Sequence, residues 1–247
     1  GVIRLDSREI SADEAEPECA LISHDVFFAP FALSYLDVLM NSAALKWVQS
    51  AGAGFDHRMF VRLAEKGIRL TTNHGQAVGI AEYVLWGVLN HFQHGNAHAA
   101  EQSAHRWTKR CSREINGTHW LIIGFGSIGE AVARRAKGFD AHVTGIRRRP
   151  EQSPFADVTA TPDELFHHLG DSDVVVLCVP QTAQTVNMVN ADFLAAMKPG
   201  SLLINVGRGS RGIVHGISYP IFSPDLPRRA RCGPSARSAG GCAKAWR

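Results

Sequence analysis

The sequence predicts an α/β protein with two domains, each built on a parallel sheet. Strand patterns alternate with helix patterns along most of the chain, and this alternation is typical of parallel sheets. Two predicted strands, the second of them apolar, each run into a glycine-rich turn, at residues 51–54 and 124–129. A third strand, at residues 174–179, is apolar throughout, as expected for a strand covered by helices on both faces.

Hydrophobic periodicity and turn residues place the elements in order. Strands are expected at residues 20–27, 46–50, 69–72, 120–123, 141–146, 174–179 and 202–206. Helices are expected at residues 30–41, 56–65, 77–105, 131–136, 163–169 and 191–197, and the long helix at 77–105 is expected to connect the domains. We therefore divide the chain into domains at residues 1–94 and 95–210 and a tail at residues 211–247.

Composition narrows the class of protein. Of the 247 residues 45% are hydrophobic and 20% are charged, enough apolar material for one large core or two smaller ones. The net charge is only +3, so we expect no nucleic-acid partner. No apolar run approaches the ~18 residues of a membrane span, and we expect no membrane partner. The five cysteines show neither CxxC spacing nor a disulfide framework, and no signal peptide is recognised, which favours a cytoplasmic location.

The second glycine-rich turn has the pattern of a dinucleotide-binding turn. Gly124 permits a tight turn after the strand, Gly126 lets the backbone approach a pyrophosphate, and Gly129 lets the next helix pack on the sheet. Free N–H groups at the helix N-terminus favour the negative phosphates. A purely structural turn is the alternative, but the flanking strand and helix favour cofactor binding. The predicted cofactor residues are Gly124, Phe125, Gly126, Ser127, Ile128 and Gly129.

An arginine cluster follows the next predicted strand. Dinucleotide sites that select NAD carry an acid about 20 residues after the glycine turn, but this strand ends in Ile146 and is followed by Arg147, Arg148 and Arg149. Guanidinium groups match a phosphate bidentately, so Arg147 and Arg148 predict the 2′-phosphate of NADP. A solvated basic loop is the alternative.

Several further motifs carry a family resemblance. The first part of the chain contributes Leu45, Lys46, Trp47, Val48, Gln49, Ser50, Ala51, Gly52, Ala53, Gly54, Phe55, Asp56, Asn73, Ala81, Glu82 and Trp107. The second part adds residues 173–180, Thr185, Met197, Lys198, Pro199, Gly200 and residues 203–209. In order and approximate spacing these motifs resemble the D-isomer-specific 2-hydroxyacid dehydrogenases over roughly residues 19–210. Because of its arginines, the chain is most similar to the glyoxylate and hydroxypyruvate reductases.

The resemblance implies a fold and an activity. It implies two Rossmann-like parallel-sheet domains, a flavodoxin-like substrate-binding domain and a dinucleotide-binding domain, both incomplete in this chain. The implied reaction is hydride transfer between NADP, or NAD, and a small 2-oxo acid such as glyoxylate or hydroxypyruvate. A homodimer formed through the cofactor domain is also implied.

The resemblance also assigns roles to particular residues. Arg208 matches the catalytic arginine that orients the carboxylate and polarises the carbonyl, although a lone arginine there is otherwise more often a surface cation. Backbone N–H groups of Ala53 and Gly54 would hold the substrate carboxylate, with an ordinary strand-to-helix turn as the alternative. His74 falls in a loop near the expected substrate cleft. The remaining cofactor-binding positions are Cys178, Val179, Pro180, Thr185, Val206 and Gly207.

Histidines raise two further questions. We predict no metal site, because a solvated helix face explains the spacing of His91, His94, His98 and His105 as well as a metal does.

The family's Glu-Pro and Pro-His motifs, which supply the catalytic acid, are not found after Arg208. His215 lies too close to Arg208 in the sequence to match the family's catalytic histidine.

The composition of residues 211–247 predicts an aberrant, disordered tail of frame-shifted character, and the start of the chain looks clipped. A non-catalytic NAD(P)-binding protein or sensor therefore remains the alternative function.

The missing acid leads to a prediction about turnover. General acid catalysis contributes about 10²- to 10⁴-fold, so reduction of glyoxylate or hydroxypyruvate by this chain should be slower than ordinary enzyme rates by about that factor. A spectrophotometric assay of NADPH oxidation measures it. Steady-state turnover in the tens per second, as in ordinary enzymes, would contradict the prediction.

Overall fold

The structure is a computed structural model that describes residues 2–5, 8–11, 14–23, 25–26, 29–54, 58–180, 182–207 and 221–222. Its strands form three sheets. An antiparallel pair at the start of the chain joins β1 (Val2–Leu5) to β2 (Arg8–Ser11). A three-stranded parallel sheet and a six-stranded, mostly parallel sheet follow, which confirms the predicted α/β class.

The smaller parallel sheet has the strand order β3-β4-β5. Its elements are β3 (Cys19–Ile22), α1 (Ala32–Asn41), β4 (Trp47–Ser50), α2 (Arg58–Glu65) and β5 (Arg69–Thr71). In α2 the residues Met59, Phe60 and Leu63 recur at helical spacing and are buried. They pack with Ile22 and Val48 of the strands, so the two helices and the sheet enclose one small core.

The larger sheet has the strand order β11-β10-β9-β6-β7-β8. Its five parallel strands are β6 (His119–Ile123), β7 (His142–Ile146), β8 (Val158–Ala160), β9 (Val174–Leu177) and β10 (Leu202–Asn205). The chain first winds outward through β7 and β8, then returns to β9 and winds the other way. The direction of winding therefore reverses between β6 and β9, as in doubly wound nucleotide-binding sheets.

The helix predicted at residues 77–105 is in fact two helices, α3 (Ala77–Phe92) and α4 (Gly95–Ser103), so the prediction of one continuous helix is wrong. His94 between them has a φ of 55°, a left-handed conformation that interrupts an α-helix. Its Nε2 atom lies 3.0 Å from the carbonyl oxygen of Cys111, and the amide of Gln93 donates to the carbonyl of Arg113 at 2.8 Å. Contacts with a distant segment therefore hold the break.

Helices cover both faces of the larger sheet. Helix α3 packs beside α5 (Ser127–Lys137) on one face, around Trp120 and Ile122 of β6. On the other face α6 (Leu165–Leu169), preceded by a 3-10 turn at Pro162–Glu164, and α7 (Ala191–Ala196) pack around Leu121 and Val175. Since successive strand residues face opposite sides, the sheet has two cores, and every residue of β9 is buried.

The predicted tail contributes one strand to this sheet. β11 (Ile221–Phe222) pairs antiparallel with β10, with Leu203 opposite Phe222 and Ile204 opposite Ile221. These two residues pair with backbone groups along what would otherwise be a sheet edge, and the disordered tail stays a prediction. The other tail residues, 211–220 and 223–247, lie outside the described part of the chain.

The cysteines differ in state. Cys19 and Cys178 are free thiols. Cys111 is disulfide-bonded, a single bond that the sequence spacing did not indicate.

Asp173 ties three segments together at the amino-terminal edge of the larger sheet. Its carboxylate accepts hydrogen bonds from Arg113 at 2.5 Å, from Lys198 at 2.6 Å and from the backbone N–H of His119 at 2.9 Å. Burial alone would raise the pKa of Asp173, but the hydrogen bonds from Lys198 and His119 and the charge of Arg113 outweigh burial and lower it. The carboxylate is therefore ionised in the folded protein at neutral pH.

We expect Asp173→Asn to lower the free energy of unfolding by about 2 to 4 kcal/mol at neutral pH, because it leaves two cations beside a group with no charge. The folded pKa lies below the unfolded value of about 3.9, so the carboxylate contributes stability above that value and loses it as the pH falls through the folded pKa. Urea unfolding at about pH 7 and about pH 3 should show the difference between variant and wild type shrinking in acid. The exposed neighbour Asp171→Asn is the matched control. Equal stability of Asp173→Asn and wild type at neutral pH would refute the assignment.

Candidate cofactor and substrate site

Three segments predicted to bind the cofactor meet where β6, β9 and β10 end. Hydrogen bonds hold them side by side. The N–H of Cys178 donates to the carbonyl of Ile123 at 2.7 Å, and the N–H groups of Val206 and Gly207 both donate to the carbonyl of Leu177 at 3.0 Å. Because the winding reverses here, these carboxyl ends form the crevice in which open α/β sheets bind their ligands.

The floor of the crevice is backbone packed against backbone. Gly124 has a φ of +94°, and a Cβ on it would lie 2.8 Å from both the carbonyl carbon of Cys178 and the nitrogen of Val179. A Cβ on Gly207 would lie 2.5 Å from the carbonyl oxygen of Val179. No side chain fits at either position, so glycine is required for the three segments to meet.

The next part of the turn is open. Gly126 is exposed, and among the described residues no heavy atom apart from those of its chain neighbours lies within 4 Å of where its Cβ would be. Helix α5 begins at the following residue, Ser127, and no side chain among the described residues caps its N-terminus, so its first N–H groups are left for an anion. Gly129 packs against the carbonyl oxygen of Gly124, and Ile128 packs against the core. An open glycine at the start of a firmly packed helix fits a dinucleotide diphosphate.

Phe125 packs inside the turn. Its ring is 2% exposed and fills the space beside Gly145 of β7, where a Cβ would collide with it. Its N–H donates to the carbonyl of Ile146 at 3.0 Å. The side chain and N–H of Phe125 therefore hold the turn in place, and a contact of this residue with cofactor stays a prediction. Gly145 has no predicted role in the sequence, although a glycine inside a strand is a signal of close approach.

Thr185 shapes the loop after β9. Its hydroxyl donates to the carbonyl of Pro180 at 2.7 Å and accepts from the N–H of Thr182 at 2.8 Å. These bonds fold the loop back onto the segment that starts at Cys178.

Burial raises the pKa of the Cys178 thiol to about 12, so this cysteine is a neutral packing residue.

The arginine cluster lies beyond the end of β7. Arg147 is anchored by its N–H, which donates to the carbonyl of Ala160 at 3.0 Å. Its half-buried guanidinium lies 3.7 Å from carboxylate oxygens of both Glu130 and Glu151. Arg148 is exposed. The cluster thus contains one arginine with carboxylate neighbours, Arg147, and one exposed arginine, Arg148. Both follow the strand end at which doubly wound folds bind the ribose of a dinucleotide.

The first glycine-rich turn follows β4. The N–H of Ala51 donates to the carbonyl of Ile22 at 2.9 Å, and the Gln76 amide donates to the carbonyl of Ala51, also at 2.9 Å. Ala53 and Gly54 are half-buried, and their N–H groups donate to no other residue in the described part of the chain. Binding of a carboxylate by these N–H groups stays a prediction.

His74 connects this turn to the cofactor turn. Its Nδ1 atom lies 3.2 Å from the hydroxyl of Ser127, and both side chains are exposed. From the sequence, these two residues are predicted to lie in different domains and to contact different ligands. The structure brings them together at the mouth of the crevice.

Arg208 and His215, for which the sequence predicts or discounts a catalytic role, lie outside the described residues.

The four histidines considered for a metal do not lie on one helix, because His94 interrupts it and His105 lies beyond α4. Burial lowers the pKa of His91, and His94 and Arg113 act in the same direction. Across the described ranges, no group of three or more His, Cys, Asp or Glu residues is placed to hold a metal ion.

The strand order, the open glycine turn and the bare helix N-terminus define a dinucleotide-binding protein of the Rossmann type. Residues 85–212 match the sequence profile of the family described as D-isomer specific 2-hydroxyacid dehydrogenase, NAD binding domain. This match covers more than half of the chain, and the chain belongs to that family. Within the residues that the structure covers, no helix has the length and apolar character that a membrane crossing needs.

Individual relatives agree with the family. A D-lactate dehydrogenase of Treponema pallidum is 34% identical over 176 residues, 69% of this chain and 52% of that protein. A glyoxylate reductase of Pyrococcus furiosus is 40% identical over 96 residues, 39% of this chain and 29% of that protein. The crystal structure of an NADPH-dependent glyoxylate/hydroxypyruvate reductase from Sinorhizobium meliloti, in complex with NADP and sulfate, has a TM-score of 0.63 at 25% identity and is matched over 78% of this chain and 60% of its own. The chain spans about half or less of the length of the two curated relatives.

Two glycines of the turn should respond differently to substitution. Gly126→Ala should leave the free energy of unfolding within about 0.5 kcal/mol of wild type, because its Cβ enters open space, yet weaken NADPH binding, because the methyl group occupies the phosphate's approach. Gly124→Ala should lose both stability and binding, because its Cβ meets backbone. Urea unfolding and fluorescence titration measure the two effects. Unchanged NADPH affinity in Gly126→Ala would argue against a diphosphate at this turn.

Proposed function

We propose that the chain is an NAD(P)-dependent oxidoreductase of small 2-oxo and 2-hydroxy acids. The observation that carries this proposal is the crevice in which the open turn at Gly126 meets the segments at Cys178 and Val206. Family membership supports it, as do relatives named glyoxylate reductase and D-lactate dehydrogenase. Glyoxylate or hydroxypyruvate as the 2-oxo acid is part of the proposal.

The larger domain would hold the cofactor. Gly126 and the start of α5 would receive the diphosphate, and Arg147 and Arg148 would face the adenosine ribose. The nicotinamide, when bound, supplies or accepts the hydride. The chain's own contribution is to fix its position and to exclude water from the crevice.

The smaller domain would hold the substrate. The N–H groups of Ala53 and Gly54 would bind the carboxylate, since consecutive backbone donors after a strand form an anion-binding nest. Arg208 would orient the same carboxylate and polarise the carbonyl, where negative charge develops on oxygen as the hydride adds. A fixed cation there stabilises the transition state more than the ground state.

NADP is the preferred cofactor in this proposal. Ile146 occupies the position where an acid would select NAD, and two cations follow it. The ion pairs of Arg147 with Glu130 and Glu151 are long, at 3.7 Å, and surface pairs are worth only about 0 to 1 kcal/mol. A 2′-phosphate, which pairs bidentately with a guanidinium, competes well with them. The similar reductase from Sinorhizobium meliloti is named as NADPH-dependent.

Replacing both Arg147 and Arg148 by Ala should weaken NADPH binding by roughly 2 to 4 kcal/mol, the value of about two charge-assisted hydrogen bonds, and leave NADH nearly unchanged. Fluorescence titration with each cofactor measures the difference. Arg134→Ala is the control, since this arginine lies in the last turn of α5 beside the ring of Phe155. Equal losses for NADPH and NADH would overturn the proposed preference.

A non-catalytic NAD(P)-binding protein or sensor is the second candidate. Family membership and the enzyme names of the relatives favour the oxidoreductase.

A homodimer is a further part of the proposal. The outer face of α3 exposes Val78, Tyr83 and Trp86, with the two aromatic rings 5.4 Å apart. Aromatic side chains are enriched in protein interfaces, and a second copy of the chain would bury this face.

A cytoplasmic location of the protein is also part of the proposal and remains a prediction.

A further inference from the structure

The geometry points to His74 as a ligand of the cofactor diphosphate, supplied by the loop that precedes α3. This inference rests on the proposed function and differs from the substrate contact that the sequence suggested for this residue. The carrying observation is the 3.2 Å separation between His74 Nδ1 and the hydroxyl of Ser127, the first residue of α5. Both side chains are exposed at the mouth of the crevice.

The contact with Ser127 prepares the imidazole to bind an anion. When the serine hydroxyl donates to Nδ1, the proton of a neutral imidazole resides on Nε2, because a neutral ring carries one N–H. Nε2 is then a donor on the far side of the ring. A phosphate oxygen held at Gly126 and Ser127 would lie beside a side-chain donor as well as the backbone donors of α5.

The loop that carries His74 is held in place on both sides. The side-chain oxygen of Asn73 accepts from the N–H of Gly75 at 2.8 Å, and the carbonyl of His74 accepts from the N–H of Ala77 at 3.0 Å. The side-chain amide of Gln76 donates to the carbonyl of Ala51, which ties the loop to the glycine-rich turn after β4. The imidazole is therefore positioned before any ligand binds, and preorganised donors bind more tightly.

Helices α3 and α5 pack together near the same point. The loop before α3 contacts the first residue of α5 through His74 and Ser127, and the helices are joined further along by the 2.8 Å ion pair of Glu82 with Arg135. The order of these two contacts indicates that the helices run in the same direction. No side chain in the described residues caps α5, so its positive dipole end remains available to the phosphate beside His74.

The test compares two nucleotides that isolate the diphosphate. ADP-ribose contains it but lacks the nicotinamide, whereas adenosine 2′-phosphate has neither. We expect His74→Ala to weaken ADP-ribose binding about tenfold, as for the loss of one charge-assisted hydrogen bond, and to leave adenosine 2′-phosphate unchanged. His74→Gln, which keeps an N–H donor of similar reach, should recover most of the affinity. Isothermal titration calorimetry measures each dissociation constant.

The matched control is His142→Ala, which removes an exposed imidazole from the opposite, amino-terminal edge of the same sheet. It should bind both nucleotides like wild type, and thermal melts should show that every variant is folded. Equal ADP-ribose affinity in wild type and His74→Ala would overturn the inference and leave the proposed function standing. A loss seen with NADPH but not with ADP-ribose would also overturn it, by moving His74 to the nicotinamide half. If wild type binds neither NADPH, NADH nor ADP-ribose, the proposed function fails, and the role of His74 fails with it.

Discussion

The site depends on direct backbone contact between the turn after β6 and the segment after β9. A Cβ on Gly124 would lie 2.8 Å from the backbone of Cys178 and Val179, so only glycine lets the two strands end at the same depth. The buried ring of Phe125 braces the turn from the other side, against Gly145. With both sides fixed, the open position at Gly126 is presented at the start of α5. Tight packing on the inside of the turn thus leaves an open, accessible position on the outside.

Helix α3 has a larger role than a connector between domains. Its inner face is buried in the core of the larger sheet, while the loop before it is bonded through Gln76 to the glycine-rich turn after β4. The same loop places His74 beside the glycine turn after β6. One helix and its preceding loop therefore connect the two glycine-rich turns. In the proposed function this connection matters, because small displacements of reactants from the productive geometry reduce the rate of hydride transfer strongly.

The charged groups divide between the two edges of the larger sheet. At the amino-terminal edge Asp173 is buried and saturated by Arg113, Lys198 and a backbone N–H, so its charge holds the fold together. At the carboxyl edge Arg147 has only long contacts with carboxylates and Arg148 is exposed. Charges that stabilise a fold are paired closely, whereas charges that bind a ligand keep capacity for it.

The sequence by itself determined the order of the seven strands β3 to β7, β9 and β10 and the glycine turn, because hydrophobic periodicity and turn chemistry depend on residues close together in the chain. The short strands β1, β2, β8 and β11 carried no such signal. It also indicated the family, through motifs of fixed spacing. Only the tertiary structure decided that a helix breaks at His94, that Phe125 packs on Gly145, that β11 pairs with β10, and that His74 meets Ser127. Each of these depends on residues far apart in sequence, whose contact follows from packing that no local pattern encodes.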